Sequence, residues 1–544
     1  MNLNQFLDHW KIAENPFRGE EARQDPVFLR LEAASQAGTG GVAAAADIPA
    51  PVSTGMISHS DFEKIAGDIS RPSTAIVFGE KGSGKTAIRL QLADRLAAYN
   101  AQHPTARCLW IGYDDLNPIL GRYCERAKVE KKPNLTDTLA KLRLVDHIDA
   151  ILTLAVPALV DAMLRENTVR TGAPPVSISL PEEPKKIVKK MDAPTRRDLL
   201  VLQTAYDRPD APVGAEVRTH RLRRMLRIVP PFGSMVWTTL VLVGWIPAAV
   251  YGYVEWSAGR ISLDPAMMTH MENPLWWIAG LLFLYLLILL KRAVYDRLKY
   301  ITLGHRLRKQ IRVSVRSDSS YGRSLRVIPR ALVDSSVLPM TGSDETRYAM
   351  LERLRRVLRH AGYESAVVVM DRVDEPTLIA GDPDRMKAVV WPILHNKFLQ
   401  LPGLGIKMLL PIELRHALFR ESAAFFQEAR LDKQNLVERL GWTGSMLYDM
   451  CNQRLQACRA QGAPPLGLID LFGDDVTKQD VIDALDQMHQ PRDAFKLLYQ
   501  CFVDHCASVT SDQAQWRIPR ATLETVKKAQ VERVKQLHRG IRPA

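Results

Sequence analysis

Short apolar runs that alternate with helical periodicity define two parts of the chain. Four runs have the length and the β-branched or aromatic content of buried strands, at residues 75–78, 107–113, 364–371 and 405–411. After the first of these, Ile88, Leu92 and Leu96 recur at helical spacing. A strand, a helix and another strand in succession predict a parallel sheet with right-handed crossovers. The fold class is therefore α/β.

Helical periodicity also predicts helices away from the strands. Two helices are expected at 135–144 and 145–166, and an amphipathic helix is expected at 344–360. From residue 431 onward the pattern is helical throughout, with segments at 435–440, 444–461, 478–489, 492–508 and 519–539. This C-terminal part is predicted to be a helical lid domain that packs on the sheet.

Two long uncharged runs interrupt the α/β pattern. Residues 234–254 and residues 273–290 contain no charged side chain. About 20 apolar residues are enough to cross a bilayer core. Trp245, Trp256 and the Trp276–Trp277 pair suit the membrane interface. The pattern predicts a hairpin of two transmembrane helices in contact with the lipid bilayer. The alternative is a pair of helices buried in a soluble core, which seldom run uncharged for five turns.

Charge is distributed unevenly around these runs. Basic residues precede the first run and follow the second, whereas the connecting segment carries only Arg260 as a basic residue. The positive-inside rule then places both flanks, and both chain termini, on the cytoplasmic side. Residues 291–330 hold twelve Lys or Arg against two Asp. We expect this segment to lie on anionic lipid headgroups, with nucleic-acid binding as the second alternative.

Length, cysteines and the N-terminus set further bounds. A chain of 544 residues predicts two or three domains, and its net charge is +13. The six cysteines form no C-x-x-C pair and are expected to be reduced core residues. Zinc binding by Cys501, His505 and Cys506 is a lesser alternative. The first nine residues lack the basic start and apolar run of a signal peptide, so the soluble part is expected in the cytosol.

A glycine motif follows the first predicted strand. The segment Gly79-Glu80-Lys81-Gly82-Ser83-Gly84-Lys85-Thr86 fits the P-loop pattern G-x-x-x-x-G-K-[ST], in the strand, loop and helix context that this pattern requires. Its backbone N–H groups and the helix dipole favour phosphate oxygens. We expect Lys85 to reach the β and γ phosphates of ATP, and the hydroxyl of Thr86 to bind Mg²⁺. A chance match to the pattern is the competing explanation.

Carboxylates follow the third predicted strand. Asp371 ends an apolar run, and a second oxygen ligand for Mg²⁺ belongs at the end of a strand that neighbours the loop strand. Asp374 or Glu375 is expected to orient and deprotonate the attacking water, with Asp374 slightly favoured. The alternative is that these two residues cap a helix or pair with Arg372. Arg415 and Arg420, after the fourth strand, are each more typical of a solvated helical face.

These features predict seven segments. They are an N-terminal segment with a flexible linker (1–58), the first part of a P-loop NTPase domain (59–170), a basic linker (171–233), the transmembrane hairpin (234–290), a basic juxtamembrane segment (291–340), the second part of the NTPase domain (341–430) and the helical lid domain (431–544).

The chain resembles the KAP family of P-loop NTPases, which is related to the STAND and AAA+ ATPases. The resemblance rests on the motif at 79–86, on the Walker B-like run at 367–375, and on the pair of apolar runs inserted between them. It departs from the family at Arg372 and Glu375, where the family has an acid and an arginine. Pro491-Arg492-Asp493 looks like the family's Pro-Arg-Asp, which implies that Arg492 is a sensor that contacts nucleotide.

The resemblance implies a membrane-anchored ATPase that organises complexes at a membrane, and bacterial members are suspected in defence against phages or mobile elements. We therefore expect a protein of a bacterial inner membrane that forms homo-oligomers. Three other hypotheses stay open. They are an ATP-binding scaffold with negligible hydrolysis, a nucleic-acid-acting ATPase, and a transport path formed by the hairpin in an oligomer.

Overall fold

The computed structural model describes residues 1–18, 22, 24–31, 58–128, 134–166, 175–208, 214–229, 232–261, 274–333, 337–460, 462–509 and 515–538. The chain divides into two compact units. Unit 1 comprises residues 1–116 and 365–544, and unit 2 comprises residues 117–364. The predicted flexible linker at 34–56 lies outside the described residues.

The strands are β1 (Ala75–Gly79), β2 (Arg107–Tyr113), β3 (Tyr363–Met370), β4 (Leu404–Pro411) and β5 (Asn435–Val437). The first helices are α1 (Leu3–His9), α2 (Phe62–Ala66), α3 (Lys85–Gln102), α4 (Asn117–Lys128), α5 (Leu135–Leu139), α6 (Leu144–Leu164), α7 (Pro184–Lys190), α8 (Ala193–Tyr206), α9 (Ala215–Met225), α10 (Phe232–Val243), α11 (Ile246–Ser257) and α12 (Pro274–Leu290).

A π-helical turn at Lys291–Tyr295 follows α12. The remaining helices are α13 (Asp296–Gln310), α14 (Asp318–Val327), α15 (Asp344–His360), α16 (Pro383–Val390), α17 (Asn396–Leu399), α18 (Ile412–Leu418), α19 (Ala423–Ala429), α20 (Gly444–Ala457), α21 (Lys478–Asp486), α22 (Pro491–Ser508) and α23 (Arg520–His538).

The centre of unit 1 is a parallel sheet of five strands in the order β2, β3, β4, β1, β5. β1 and β4 are buried along their whole length, as parallel strands covered on both faces usually are. On one face, Ile88, Leu92 and Leu96 of α3 pack with Val77 and Leu409 in a common hydrophobic cluster. The prediction of an α/β fold is confirmed.

Two details of the predicted sheet are wrong. The segment predicted as a helix at 435–440 contains β5, which pairs in parallel with the first residues of β1. Sheet pairing outweighs the local helical pattern there. The strand that carries Asp371 was expected beside the loop strand, but β4 lies between β1 and β3. Hydrogen bonding of β4 to both strands imposes this order.

The second core of unit 1 is helical and includes the N-terminal residues. Phe6, Leu7, Phe17 and Val27 share one hydrophobic cluster with residues of α20 to α23. The amino group of Met1 donates to the carbonyl of Val509 at 2.7 Å. The N-terminal segment and the predicted lid at 431–544 therefore contribute to one helical body, and not to two separate parts. We call it the helical body below.

Unit 2 is larger than the predicted insertion. The predicted NTPase boundaries at 170 and 341 do not coincide with its limits, because α4 to α6 and α15 belong to unit 2. The carboxylate of Asp149, on the mostly buried α6, pairs with Arg347 of α15 at 3.0 Å and accepts from the Tyr206 hydroxyl at 2.8 Å. Because buried charges need partners, these contacts hold the three helices together.

Among the residues that the structure describes, three helical stretches are long and apolar enough to cross a membrane, Leu144–Leu164, Thr238–Ser257 and Pro274–Gln310. They differ in burial, since 67% of an apolar 18-residue window in the first stretch is buried within the protein, against 11% and 0% for the corresponding windows of the other two. The described parts of the apolar runs predicted at 234–254 and 273–290 are therefore mostly exposed on the protein surface. The first run is not one regular helix, because it breaks at Gly244 and Trp245 between α10 and α11.

The apolar helices pack as an antiparallel pair. The Tyr285 hydroxyl of α12 donates to the carbonyl of Val241 in α10 at 2.9 Å. A Cβ atom on Gly252 would lie 3.5 Å from Ile278, an ordinary van der Waals distance, so α11 and α12 are in contact there. Outside this contact the surface is apolar, with Leu242, Phe283 and Leu286 all more than half exposed.

Lys407 is an unusual component of the sheet core. Its side chain is 1% exposed, and its ammonium group donates to the carbonyl of Ala66 at 3.0 Å. Burial lowers the pKa of Lys407 to about 8 from an ordinary value of 10.5. The unfolded chain therefore binds more protons than the native state between these two values, and stability rises with pH across that interval.

Replacing Lys407 with Met should stabilise the protein, because a similar volume is kept while a buried charge is removed. We expect the free energy of unfolding to rise by about 1–3 kcal/mol at pH 7. The gain should shrink above pH 8, where the native lysine loses its proton. Thermal or denaturant unfolding at several pH values measures this. Lys433→Met, at an exposed position of the same unit, is the control, and a less stable Lys407→Met variant would contradict the expectation.

Candidate functional site

The segment 79–86, called the glycine loop below, joins β1 to α3. Gly82 and Gly84 have φ values of 100° and 94°, which are favourable only for glycine. Gly84 is the N-cap of α3, a helix of 18 residues, so the N–H groups of the first turn face the loop. The left-handed backbone of the loop thus occurs at two of the glycines that define the motif.

Lys85 and Ser83 add polar groups to the loop. The ammonium group of Lys85 donates to the carbonyls of Gly79 and Glu80, at 2.7 and 2.9 Å. Burial lowers the pKa of Lys85, and the nearby carboxylates of Asp371 and Asp374 oppose that effect. The hydroxyl oxygen of Ser83 is buried and has no hydrogen-bond partner among the described residues.

Asp371 lies directly after β3 and faces the start of α3. Its Oδ2 atom is 3.5 Å from the hydroxyl of Thr86, although 285 positions separate the two residues in the chain. The side chain is 1% exposed, and burial raises the pKa of Asp371 to about 6, with Arg89 acting in the opposite direction. Arg89 in turn pairs with Asp114, which follows β2. Residues at the ends of three elements thus form one charged cluster.

The two other predicted carboxylates differ in their surroundings. Asp374 has a side chain 23% exposed and lies 3.9 Å from the ammonium group of Lys81. Glu375 is 50% exposed and pairs with Arg372 at 3.4 Å. The sequence analysis left open that Asp374 or Glu375 pairs with Arg372, and Glu375 does so.

The loop is fixed by residues that the sequence patterns did not identify. Arg439 donates to the carboxylate of Glu80 at 2.8 Å, and the Gln490 amide donates to the same carboxylate. The indole N–H of Trp442 donates to the Ser83 carbonyl at 2.9 Å, and its ring meets His59 edge to face. No local motif marks these residues, because they become neighbours of the loop only through the packing of unit 1.

A cavity of about 270 Å³ lies beside the loop. Nine residues predicted for the site line it, namely Lys81, Gly82, Gly84, Lys85, Thr86, Asp371, Asp374, Glu375 and Arg492. Gly79, Glu80 and Ser83 belong to the loop but do not line the cavity. The other walls come from α3, from the helical body and from four N-terminal residues, Ala22, Asp25, Phe28 and Leu31.

Arg492, in the first turn of α22, packs against the glycine loop. A Cβ atom on Gly82 would lie 3.1 Å from the Arg492 Cβ atom and 3.3 Å from its Cδ atom. Arg415 is located elsewhere, paired with Glu438 at 2.8 Å, and neither Arg415 nor Arg420 lines the cavity.

His505, considered from the sequence as a zinc ligand with Cys501 and Cys506, bonds through its ring to the carbonyl of Gln515 at 2.9 Å. All six cysteines are buried, and none of them forms a disulfide. Within the described ranges, no group of three or more His, Cys, Asp or Glu side chains has the placement to hold a metal ion.

No family model, curated protein or solved structure matches this chain. Any assignment of function therefore depends on the geometry of the cavity and on the residues around it.

Gly82→Ala should destabilise the protein more than a glycine replacement in open space. A new Cβ atom would lie 3.0 Å from the Gln490 Oε1 atom, in addition to the strain of a left-handed backbone. Gly462→Ala is the matched control, because Gly462 has a φ of 74° and no neighbour within 4 Å. The control should cost about 1–2 kcal/mol, and Gly82→Ala about 1 kcal/mol more, measured as unfolding free energy.

A double-mutant cycle with Gln490→Ala tests the cause. Part of the additional loss should disappear when Gly82→Ala is combined with Gln490→Ala, because the crowded amide is then gone. Equal costs for the two glycine replacements would mean that the loop is not packed against α22.

Proposed function

We propose that the chain is a membrane-anchored P-loop ATPase related to the KAP family, which binds and hydrolyses Mg-ATP to switch an assembly at the membrane. The observation that carries this proposal is the 3.5 Å separation between Thr86 and Asp371 at the N-terminus of α3. A hydroxyl and a buried carboxylate beside a glycine loop are the oxygen ligands expected of a Mg-nucleotide site.

The residues of the loop fit a phosphate chain. Left-handed glycines expose successive backbone N–H groups, Ser83 has a buried hydroxyl without a partner among the described residues, and Lys85 supplies a positive charge. Thr86 and Asp371 would hold Mg²⁺, which when bound neutralises phosphate charge. Lys85 holds the terminal phosphates, and because its present hydrogen bonds are to loop carbonyls, it exchanges them for phosphate oxygens.

Asp374 is the better candidate for the general base. Both carboxylates line the cavity, but the charge of Asp374 raises the pKa of Lys85, whereas the Glu375 carboxylate is more exposed and pairs with Arg372. In this proposal the Asp374 carboxylate orients a water molecule and accepts its proton. Arg492 lines the same cavity from the helical body and donates to phosphate oxygens.

In this proposal, nucleotide binding is coupled to assembly through the contacts between the glycine loop and the helical body. The glycine loop contacts the helical body through Trp442, Gln490 and Arg492, so phosphate bound at the loop also acts on that body. A contact that forms with ATP and is lost on hydrolysis is a switch. Homo-oligomers are the proposed assembly. A role in bacterial defence is proposed by analogy with the family alone.

The proposed membrane hairpin has two spans. The first consists of α10 and α11, and the second is α12. Many of their large apolar side chains are exposed on the protein surface, whereas Asp146 and Asp149 of α6 are paired within unit 2. We therefore propose that α6 does not cross the bilayer. Both ends of the hairpin are cytoplasmic by the distribution of positive charge, and the membrane is a bacterial inner membrane.

The basic segment 291–330 contributes only part of its charge to the surface. Lys299, Arg306, Lys309 and Arg326 are exposed and suit anionic headgroups. By contrast, Arg316 is buried and donates to the carbonyl of Thr204 at 2.6 Å, and Arg312 pairs with Asp146. These two arginines serve the packing of unit 2, which the charge pattern alone did not predict.

A second candidate function is an ATP-binding scaffold with negligible turnover. It is favoured by Arg372, which adopts a left-handed φ of 59° and pairs with Glu375 at 3.4 Å. This pairing occupies one of the two carboxylates available to activate water.

Measurements of ATP binding and phosphate release on the full chain in detergent decide between the two. Lys85→Met should lower Mg-ATP affinity by at least about 100-fold, because a charge-assisted phosphate contact is lost. Asp374→Asn should keep the affinity within about threefold and lower phosphate release by about 100-fold or more. Glu375→Gln should change release by less than about threefold.

Lys64→Met is the control for Lys85, since Lys64 is exposed and donates to the carbonyl of Leu436 outside the cavity. Near-zero release from the wild type, equal to that of Asp374→Asn, would favour the scaffold. Absence of ATP binding by the wild type would overturn both functions.

Membrane topology is testable with single cysteines, because the six native cysteines are buried. Ala258→Cys lies after α11 in the connecting segment, and Ser319→Cys lies on the exposed face of α14. A membrane-impermeant maleimide should label Ala258→Cys in intact cells and Ser319→Cys only after permeabilisation. The unsubstituted chain is the control for background labelling. Labelling of both positions in intact cells would contradict the hairpin.

A further inference from the structure

The cavity beside the glycine loop has a wall that comes from the N-terminal residues. Asp25, Phe28 and Leu31 line it on one side, and Met450 and Arg454 of α20 line it on another. These residues are distant from the loop in the sequence, and no phosphate-binding motif includes them. At about 270 Å³, the cavity is close to the lower end of small-molecule sites, about 300–1,000 Å³.

Arg454 fixes this wall in place. Its Nη1 atom lies 2.7 Å from the Asp25 Oδ2 atom, and its Nε–H donates to the carbonyl of Pro16 at 2.8 Å. The guanidinium lies over the ring of Phe495 at 4.5 Å, and the residue is 3% exposed. Buried ion pairs with this many contacts keep a fixed geometry.

Asp25 connects the ion pair to the short helix at residues 26–31. Its Oδ1 atom accepts hydrogen bonds from the backbone N–H groups of Val27 and Phe28, at 3.0 and 3.3 Å. One carboxylate therefore binds Arg454 with one oxygen and the start of this helix with the other. Phe28 and Leu31 are oriented at the cavity through that connection.

The wall offers two kinds of contact to a ligand. Phe28 is half-buried and supplies an aromatic side chain, with Leu31 and Met450 as further apolar neighbours. The Nη2 atom of Arg454 is buried and has no hydrogen-bond partner in the described part of the chain. An aromatic face together with a donor suits a nucleobase, which has a flat ring and acceptor atoms at its edge.

We propose that this wall binds the nucleoside end of a nucleoside triphosphate, so that the N-terminal residues select a nucleotide over a bare polyphosphate. The inference rests on the proposed function, because the glycine loop must hold the phosphate chain of the same ligand. The base lies against Phe28, Leu31 and Met450, and Arg454 donates to an acceptor on the base or ribose. Asp25 is a positioning residue that acts through Arg454 and through the helix at 26–31.

Separate binding titrations with two ligands distinguish the contribution of this wall from that of the glycine loop. The full chain in detergent is titrated with Mg-ATP and with inorganic triphosphate in the presence of Mg²⁺. Phe28→Ala should weaken ATP binding by about tenfold to 100-fold, because a base loses its aromatic contact. The same variant should bind triphosphate within about twofold of the wild type. Asp25→Asn should also weaken ATP binding while leaving triphosphate binding unchanged.

Asp474→Asn is the matched control, since it removes the exposed pair of Asp474 with Arg517 in the helical body, away from the cavity. It should leave the affinities for both ligands unchanged. Retained triphosphate binding also shows that a variant is folded. If Asp25→Asn does not fold, the result for Phe28→Ala alone tests whether the wall binds the nucleoside.

The outcomes are distinguishable. An unchanged ATP affinity in Phe28→Ala, or equal losses for ATP and triphosphate, overturns the nucleoside wall while the proposed ATPase stands. A wild-type chain that binds neither ligand overturns the proposed function and this inference with it. A selective loss of ATP affinity supports the wall.

Discussion

Parallel hydrogen bonding of β4 to β1 on one side and to β3 on the other is the constraint on which the candidate site depends. Residues from the two ends of unit 1 enter the same sheet, although unit 2 separates them in the chain. In a parallel sheet the strand ends meet at one edge, so the residues that follow β1 and β3 come together there. Without β4, Thr86 and Asp371 would have no structural reason to be neighbours.

The site is stabilised at one edge of this sheet by contacts that have little to do with phosphate chemistry. Glu80 is bound by Arg439 and Gln490, and the Ser83 carbonyl by Trp442. These contacts attach the glycine loop to the helical body. Arg454, through its ion pair with Asp25, attaches the N-terminal residues to the same body. The cavity is consequently built by several parts of the chain that meet in one unit.

Unit 2 shows how similar apolar sequences reach different environments. α6 is apolar enough to cross a membrane, yet most of it is buried against other helices of its unit, and Asp146 and Asp149 pair with arginines. α12 has no buried residue and is uncharged along its length. Hydropathy alone does not separate the two, because the burial of α6 depends on ion pairs with residues from other helices.

The sequence by itself determined the α/β class, four of the strands to within a residue or so, the backbone reversal at Gly82 and Gly84, and the carboxylate at the end of β3. These features are local, since periodicity, glycine conformation and residue type act over a few positions. Only the tertiary structure decided that β5 is a strand, that β4 separates β1 from β3, that Trp442 and Gln490 hold the loop, and that Asp25, Phe28 and Leu31 line the cavity. Arg312 and Arg316 likewise became packing residues only when unit 2 supplied their partners. The physical reason is the same in each case, because pairing, burial and ion-pair formation depend on groups that are remote in the sequence and adjacent only in the folded chain.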